Sequence, residues 1–309
     1  MDEPVLVLED ITKRFGDFTA VRGLSLNVPR GSVYGFLGPN GAGKTTTLRI
    51  ILSIYEPTSG RVEILGRPSA LDVRDRIGYL PEEKGLYKKM KAAELIAYFG
   101  QLKGMPRRKA RDRAGELLDR YGLGEFALRR CEALSKGMQQ KVQVLASIVH
   151  SPEFVILDEP FSGLDPVNQE VMEQVIRDLK ANRQTVIFST HVMEHADRLC
   201  DRIVLIAHGT KLFDGTIAEA KRTIPRRVLI ETESDVSPLR SVPGVTDLAR
   251  VGENGNWDVT LAEGANADEI LRACFRQGIQ LRSFDRRDPG LRDVFIKLVS
   301  KSDAGEESA

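Results

Sequence analysis

One stretch constrains this chain more than any other: Gly38, Pro39, Asn40, Gly41, Ala42, Gly43, Lys44, Thr45 and Thr46. It fits G-x-x-x-x-G-K-[ST], with Gly38 and Gly43 as the fixed glycines. The apolar run Val33-Tyr-Gly-Phe-Leu37 before it reads as a buried strand. The run Thr46-Thr-Leu-Arg-Ile-Ile-Leu52 after it carries an apolar face at helical spacing. A strand–loop–helix context is what gives the pattern its meaning. Glycines let successive backbone N–H groups turn inward around a phosphate chain, and the following helix aims free N–H groups and its positive dipole end at the same point. Lys44 is placed to reach the β and γ phosphates, and the Thr45 hydroxyl to hold Mg²⁺. The loop alone predicts a nucleoside-triphosphate binder and nothing narrower.

The rest of the chain must supply the narrower class. Its 309 residues suit one large or two ordinary domains, and a formal charge of +1 exerts no general pull toward nucleic acid or anionic lipid. No window approaches 18 consecutive apolar residues, so no bilayer span is expected. The start, Met1-Asp-Glu-Pro-Val-Leu, lacks the pattern of a secretory signal. Cys131, Cys200 and Cys274 are far apart and odd in number; they read as unpaired thiols of a reducing compartment.

Residues 5–11 and 20–28 read as strands joined by a turn at 13–17, an antiparallel layer ahead of the loop. Strands are expected at 61–65 and 77–80. Helices are expected at 92–102, 107–121 and from Ser135, a good N-cap, to Val149. The basic run at 107–113 reads as a solvated helix face before it reads as a nucleic-acid contact. Strand and helix then alternate: strand 154–157, helix 166–181, strand 185–188, helix 192–199, strand 203–206. That alternation implies right-handed crossovers and a largely parallel sheet. A domain boundary is expected near Ile224-Pro225. Beyond it, strands at 227–232, 245–251, 256–261 and 279–284, with helices at 267–277 and 291–299, describe a small α+β domain with a polar tail from Ser300.

Two acids close the apolar strand Phe154-Val-Ile-Leu-Asp-Glu159. Beside a phosphate loop, Asp158 is placed to join the Mg²⁺ shell, leaving Glu159 to orient or deprotonate the attacking water. The plain alternative is a strand-end acid pair that caps the next loop. Ahead of them, Leu134-Ser-Lys-Gly-Met-Gln-Gln140 opens a helix at Ser135 and Gly137, a second anion-binding helix start. One nucleotide needs one such cradle, and this chain has two.

Here the sequence resembles the ATP-binding-cassette (ABC) ATPases, over about residues 5–221 and in the expected order. The resemblance implies an α/β fold: a P-loop NTPase nucleotide-binding domain of ABC type (1–224) with a parallel-sheet core, an antiparallel β layer and a helical subdomain at about 84–150. An accessory α+β domain (225–302) and a polar tail (303–309) follow. It implies ATP and Mg²⁺ as ligands, and the signature stretch Ser135, Lys136, Gly137 and Met138 closing over ATP held by a second subunit. Asp165, in Ser162-Gly-Leu-Asp165, looks like the D-loop aspartate, and His191 like the switch histidine that contacts the γ-phosphate. Phe15 takes the place of the aromatic that stacks on adenine. Lys136 and Met138 stand where glycine and glutamine are commoner, and Glu82 replaces the usual Q-loop glutamine as a possible Mg²⁺ ligand. Both variants, with Leu291-Arg-Asp-Val-Phe-Ile-Lys-Leu298 near the end, resemble the NatA and drug-resistance branch of exporter ATPases.

The resemblance implies catalysis by Lys44, Glu159 and His191 in a head-to-tail homodimer or cassette heterodimer. That dimer would power a separate membrane permease from the cytoplasmic face of the cell membrane, with no nucleic acid involved. Leu86 and Tyr87 would lie on the docking face, or else pack into the chain's own core. The rival is a soluble cassette ATPase of translation or DNA repair; those usually carry paired cassettes or a long coiled-coil insertion, and neither is visible. His191-Val-Met-Glu-His195 matches an inverted zinc-protease pattern, but no third ligand accompanies it, and the phosphate loop accounts for His191.

Overall fold

The computed structural model describes residues 3–83, 85, 87–251 and 255–306. Leu86, half of the expected docking pair, lies outside them, as do residues 307–309 of the tail. The chain divides into two units, at Thr216 and Ile217.

In the first unit the elements run β1 (Leu6–Phe15), β2 (Phe18–Val28), β3 (Val33–Leu37), α1 (Lys44–Ile51), β4 (Ser59–Ile64), β5 (Ile77–Leu80), α2 (Ala92–Leu102), α3 (Arg107–Arg120) and α4 (Lys136–Ile148). They continue with β6 (Phe154–Asp158), α5 (Pro166–Ala181), β7 (Thr185–Thr190), α6 (Met193–Leu199), β8 (Arg202–Ala207) and β9 (Thr210–Thr216). Two sheets form. β2-β1-β4 is antiparallel, and its first hairpin turns on Gly16-Asp17 alone, a tighter turn than the expected 13–17. The larger sheet has the order β5-β6-β7-β3-β8-β9 and is parallel except for β9, which pairs antiparallel with β8 and was not anticipated from sequence.

Strands β3, β6 and β7 are buried throughout. Covered on both faces, they read as continuous apolar runs rather than alternating ones. One core joins the two sheets across α1: Leu6, Leu8, Ile11, Leu24, Tyr34, Phe36, Leu48 and Ile51 all belong to it. Each such side chain contributes roughly 1.5–3 kcal/mol on leaving water. The P-loop helix is therefore clamped between layers, and the loop at its start inherits that rigidity. Helices α2, α3 and α4 pack on one another as the helical subdomain.

The second unit holds α7 (Ile217–Arg222), β10 (Arg227–Glu231), β11 (Val245–Val251), β12 (Asn256–Leu261), α8 (Ala267–Arg276), β13 (Ser283–Arg287) and α9 (Leu291–Glu306). Its sheet, β11-β12-β10-β13, is antiparallel, and Val228, Ile230, Val259 and Leu261 share a core with Ile270 and Cys274 of α8. Three expectations shift here. The strand expected at 279–284 begins at Ser283, because Ile279 closes α8: its N–H reaches the Cys274 carbonyl at 2.9 Å, next to Gly278 at φ +71. That is a glycine-terminated helix end with an apolar residue after it. The last helix runs on to Glu306, since the polar stretch after Ser300 contains no residue that stops a helix before Gly305. The boundary falls before α7, not near 224, because α7 packs against α9.

Candidate functional site

Gly38 and Gly43 are required by space. A Cβ on Gly38 would sit 2.2 Å from the Ile206 carbonyl oxygen, and one on Gly43, at φ +97, 2.4 Å from that of Ala20. The loop thus lies flush against β8 and β2 and turns into α1, whose first turn leaves N–H groups without intrahelical acceptors. A cavity of about 290 Å³ runs over Asn40, Gly41, Gly43, Lys44, Thr45 and Thr46, with Phe18, Ala20, Glu82 and Glu159 completing its lining. Pro39 and Ala42 belong to the turn itself, where the Ala42 N–H bonds to the Pro39 carbonyl at 3.2 Å.

Lys44 is buried. Its Nζ donates to the carbonyls of Gly38 (2.8 Å) and Pro39 (3.1 Å) and stands 3.5 Å from Glu159 Oε1. Thr45 Oγ1 donates to Asp158 Oδ1 at 3.3 Å, and Ser189 Oγ donates to the same oxygen at 2.5 Å. Ser189 Oγ also accepts the Glu159 N–H at 2.9 Å. Burial pushes the Asp158 carboxyl above its usual range, partly offset by the Ser189 and Thr45 bonds. Its other oxygen, Oδ2, is buried with no hydrogen-bond partner among the described residues. An orphaned carboxylate oxygen next to a threonine hydroxyl is a donor set suited to a hard divalent cation such as Mg²⁺.

Glu159 adopts φ +48, rare for a residue with a side chain. In that conformation its carboxylate meets His191, whose Nδ1 lies 3.0 and 3.1 Å from the two oxygens. His191 precedes α6, and its ring is half exposed. His195, one turn into α6, is buried: it stacks on Phe161 (centroids 4.0 Å apart, planes 10° apart) and lies 3.7 Å from Glu173. The two histidines of the H-x-x-E-H pattern turn to different partners.

The remaining expected residues lie elsewhere. Phe15 is exposed at the end of β1; its ring meets Tyr55 edge-on at 5.6 Å and carries Lys13 Nζ 5.0 Å above it. Ser135, Lys136, Gly137 and Met138 open α4, and Asp165 caps α5; none of them lines the cavity of their own chain. Ser135 accepts the Met138 N–H at 3.3 Å, while Ser135 and Lys136 stay exposed. Sequence reasoning missed Ser189, which ties Asp158 to Glu159. Its signal is positional: in the parallel pairing of β6 and β7, Asp158 stands opposite Ser189. Phe18 and Tyr55, flanking Phe15 in space, were missed too.

A family model for ABC transporters matches residues 21–162. A second, for the C-terminal domain of DrrA1-3-like ATP-binding proteins, matches 215–299. The uncharacterized ABC transporter ATP-binding protein YhaQ of Bacillus subtilis (strain 168) is 38% identical over 299 residues, covering 96% of this chain and 98% of that protein. The chain belongs to the ABC transporter ATP-binding proteins. Its drug-resistance branch is matched end to end: the daunorubicin resistance ATP-binding protein DrrA3 of Streptomyces coeruleorubidus is 32% identical over 316 residues, 100% of both chains. Among solved structures, the dimeric post-hydrolysis state of the ATP-binding cassette MJ0796 bound to ADP and Pi superposes with a TM-score of 0.63 at 26% identity, over 68% of this chain and 98% of that one. As an ABC ATPase, this chain binds ATP and hydrolyses it to ADP and phosphate. No described helix is long and apolar enough to cross a membrane.

Proposed function

We propose that this ABC ATPase is the motor of an exporter: it works as a head-to-tail dimer and drives a separate membrane permease at the cytoplasmic face. The observation that carries the dimer is the incompleteness of the cavity. It gathers Lys44, Thr45, Glu82 and Glu159 but none of Ser135–Met138, so a second copy is needed to bring the signature to the phosphates. MJ0796, solved as a dimer, supports that reading. The full-length likeness to a daunorubicin resistance protein supports export over a role in translation or DNA repair.

In this mechanism the adenine stacks on Phe15, and the phosphates lie along the loop amides. Lys44 leaves the Gly38 and Pro39 carbonyls to hold the β and γ phosphates. Thr45 and Asp158, with Glu82 from the cavity wall, would hold Mg²⁺, which supplies neutralising charge on the phosphate oxygens. Glu159 accepts the proton of the attacking water, and His191, on the same carboxylate, contacts the γ-phosphate. Phosphoryl transfer to water needs positioning and charge neutralisation more than covalent help, and each of these residues supplies one or the other. ATP then holds the dimer closed, and hydrolysis opens it.

The decisive experiment is purification from detergent-solubilised membranes, beside ribosome pelleting. A co-purifying membrane-spanning subunit is expected; association with ribosomes in membrane-free extract would overturn the transporter reading. Turnover per molecule should also rise with protein concentration.

A further inference from the structure

Gly137 is the buried glycine of the signature turn, and what buries it is Asn168. A Cβ on Gly137 would stand 2.5 Å from Asn168 Nδ2 and 2.9 Å from its Cγ. The Asn168 amide thus fills the space that any side chain at 137 would need. That amide is pinned. Its Nδ2 donates to Asp165 Oδ2 at 2.6 Å, and the Asn168 backbone N–H donates to Asp165 Oδ1 at 2.9 Å. Both oxygens of the D-loop aspartate are engaged by one residue. A second tie lies one turn along α4, where buried Gln140 Nε2 donates to the Pro160 carbonyl, next to Glu159, at 3.5 Å.

We infer that Asn168 is a positioning residue for the signature: it relays the place of Asp165 to the Gly137 backbone, so that the D-loop cap and the signature turn are offered to the neighbouring copy as one rigid piece. The inference rests on the composite-site reading above. Its physical basis is steric and local. A glycine turn left unsupported samples many backbone conformations, and an anion cradle works only when its N–H groups are already aimed. Ser135 supports the turn from its own side through the Met138 N–H, while the opposite side leans on Asn168. Asp165 then acts on the nucleotide site through Asn168, and the identity of residue 168 becomes a determinant of how tightly two copies close on ATP.

The test uses the full chain carrying Glu159→Gln, in which ATP-bound dimers are expected to accumulate. ATP affinity is measured at a protein concentration too low for pairing, and dimerisation at saturating ATP by sedimentation. Asn168→Ala is expected to leave the first unchanged and to weaken the second about tenfold, as loss of pre-aimed donors predicts. Asn168→Ser, which keeps a donor toward Asp165, should recover part of the loss and serves if the alanine variant does not fold. A cycle with Gly137→Ala checks the contact itself. The double variant should close no worse than Gly137→Ala alone, because the alanine at 168 vacates the space that the new methyl needs. Unchanged dimerisation, an equal loss of ATP affinity in the unpaired protein, or strictly additive effects would each overturn the assignment. If the parent Glu159→Gln protein does not dimerise with ATP, the composite-site reading itself falls, and this inference with it.

Discussion

Lys44 Nζ and Glu159 Oε1 lie 3.5 Å apart, with the two side chains only 6% and 8% exposed. The residue proposed to grip the phosphates is thus paired with the residue proposed to handle the water. A buried pair of this kind is sensitive to removal of either partner. Glu159→Gln is expected to lower turnover at least about a hundredfold, the scale of a lost general base. It also frees Lys44 from its counter-charge, so ATP should bind at least as tightly as to the wild type. Phosphate release and equilibrium ATP binding check the two halves; a variant with normal turnover would remove Glu159 from the mechanism.

Gly43→Ala should abolish ATP binding and lower stability by roughly 1–3 kcal/mol, the scale of a residue forced into a strained conformation. At φ +97, with the Ala20 carbonyl 2.4 Å from the new methyl, the loop must shift. Calorimetric titration and thermal unfolding read both effects. Gly41→Ala offers a contrast, since that position has the strained φ of +79 but open space around it.

Phe15→Ala should weaken ATP binding about tenfold, the scale of one lost base–aromatic stack, while maximal turnover stays near that of the wild type. Tyr55 meets the Phe15 ring edge-on rather than stacked, and Phe15 is exposed, so a stacking base would take the place over the ring that Lys13 Nζ holds. Titration with ATP against inorganic triphosphate isolates the effect: triphosphate binding should not change.

Asp158→Asn should raise the Mg²⁺ concentration needed for half-maximal hydrolysis by about tenfold or more, since ligand and supporting groups dominate metal affinity. In the nucleotide-free protein the same change should not lower the unfolding temperature. Burial holds that carboxyl above its usual range, so a neutral amide relieves an electrostatic penalty there.

His150 provides a pH dependence. Burial, then the nearby Lys103 charge, holds its pKa down from 6.5 to about 4. Its Nε2 bonds to the Ile77 carbonyl at 3.2 Å, and its Nδ1 is buried with no partner among the described residues, so an added proton there meets no acceptor among them. The unfolded chain takes up that proton below pH 6.5 and the native one does not, so stability falls as the pH drops from about 6.5 toward about 4. His150→Gln should flatten this slope, by on the order of 2 kcal/mol after screening. Urea unfolding at pH 7 and pH 5 tests it; equal slopes in the two proteins would remove His150 as the cause.

The parts of the site that could be read in advance are those carried by one short segment. Residues 38–46 announce a phosphate loop because turn, lysine and hydroxyl are contiguous, and Asp158 and Glu159 stand out because they end an apolar strand. The parts that could not be read are encounters between segments. That Ser189 stands opposite Asp158 depends on β6 and β7 becoming neighbours in a stated register, which neither strand carries in its own residues. The Gly137–Asn168 contact depends likewise on how α4 meets α5. In the second unit the hydrophobic pattern at 279–284 fits a strand, yet Ile279 serves the end of α8, a competition that only the turn at Gly278 decides. The division at Thr216 was hidden because α7 owes its place to a helix far along the chain.

The ring stack between His195 and Phe161 has a further consequence. Phe161 lies two residues past Glu159 on the way out of β6, and His195 rides the helix that follows His191 out of β7. The stack rivets those two exits together just beyond the pair proposed to handle the water. Damage to the rivet, even by a change in α6 that never meets a nucleotide, should therefore let acid and histidine drift apart: a motor that still takes fuel but misfires.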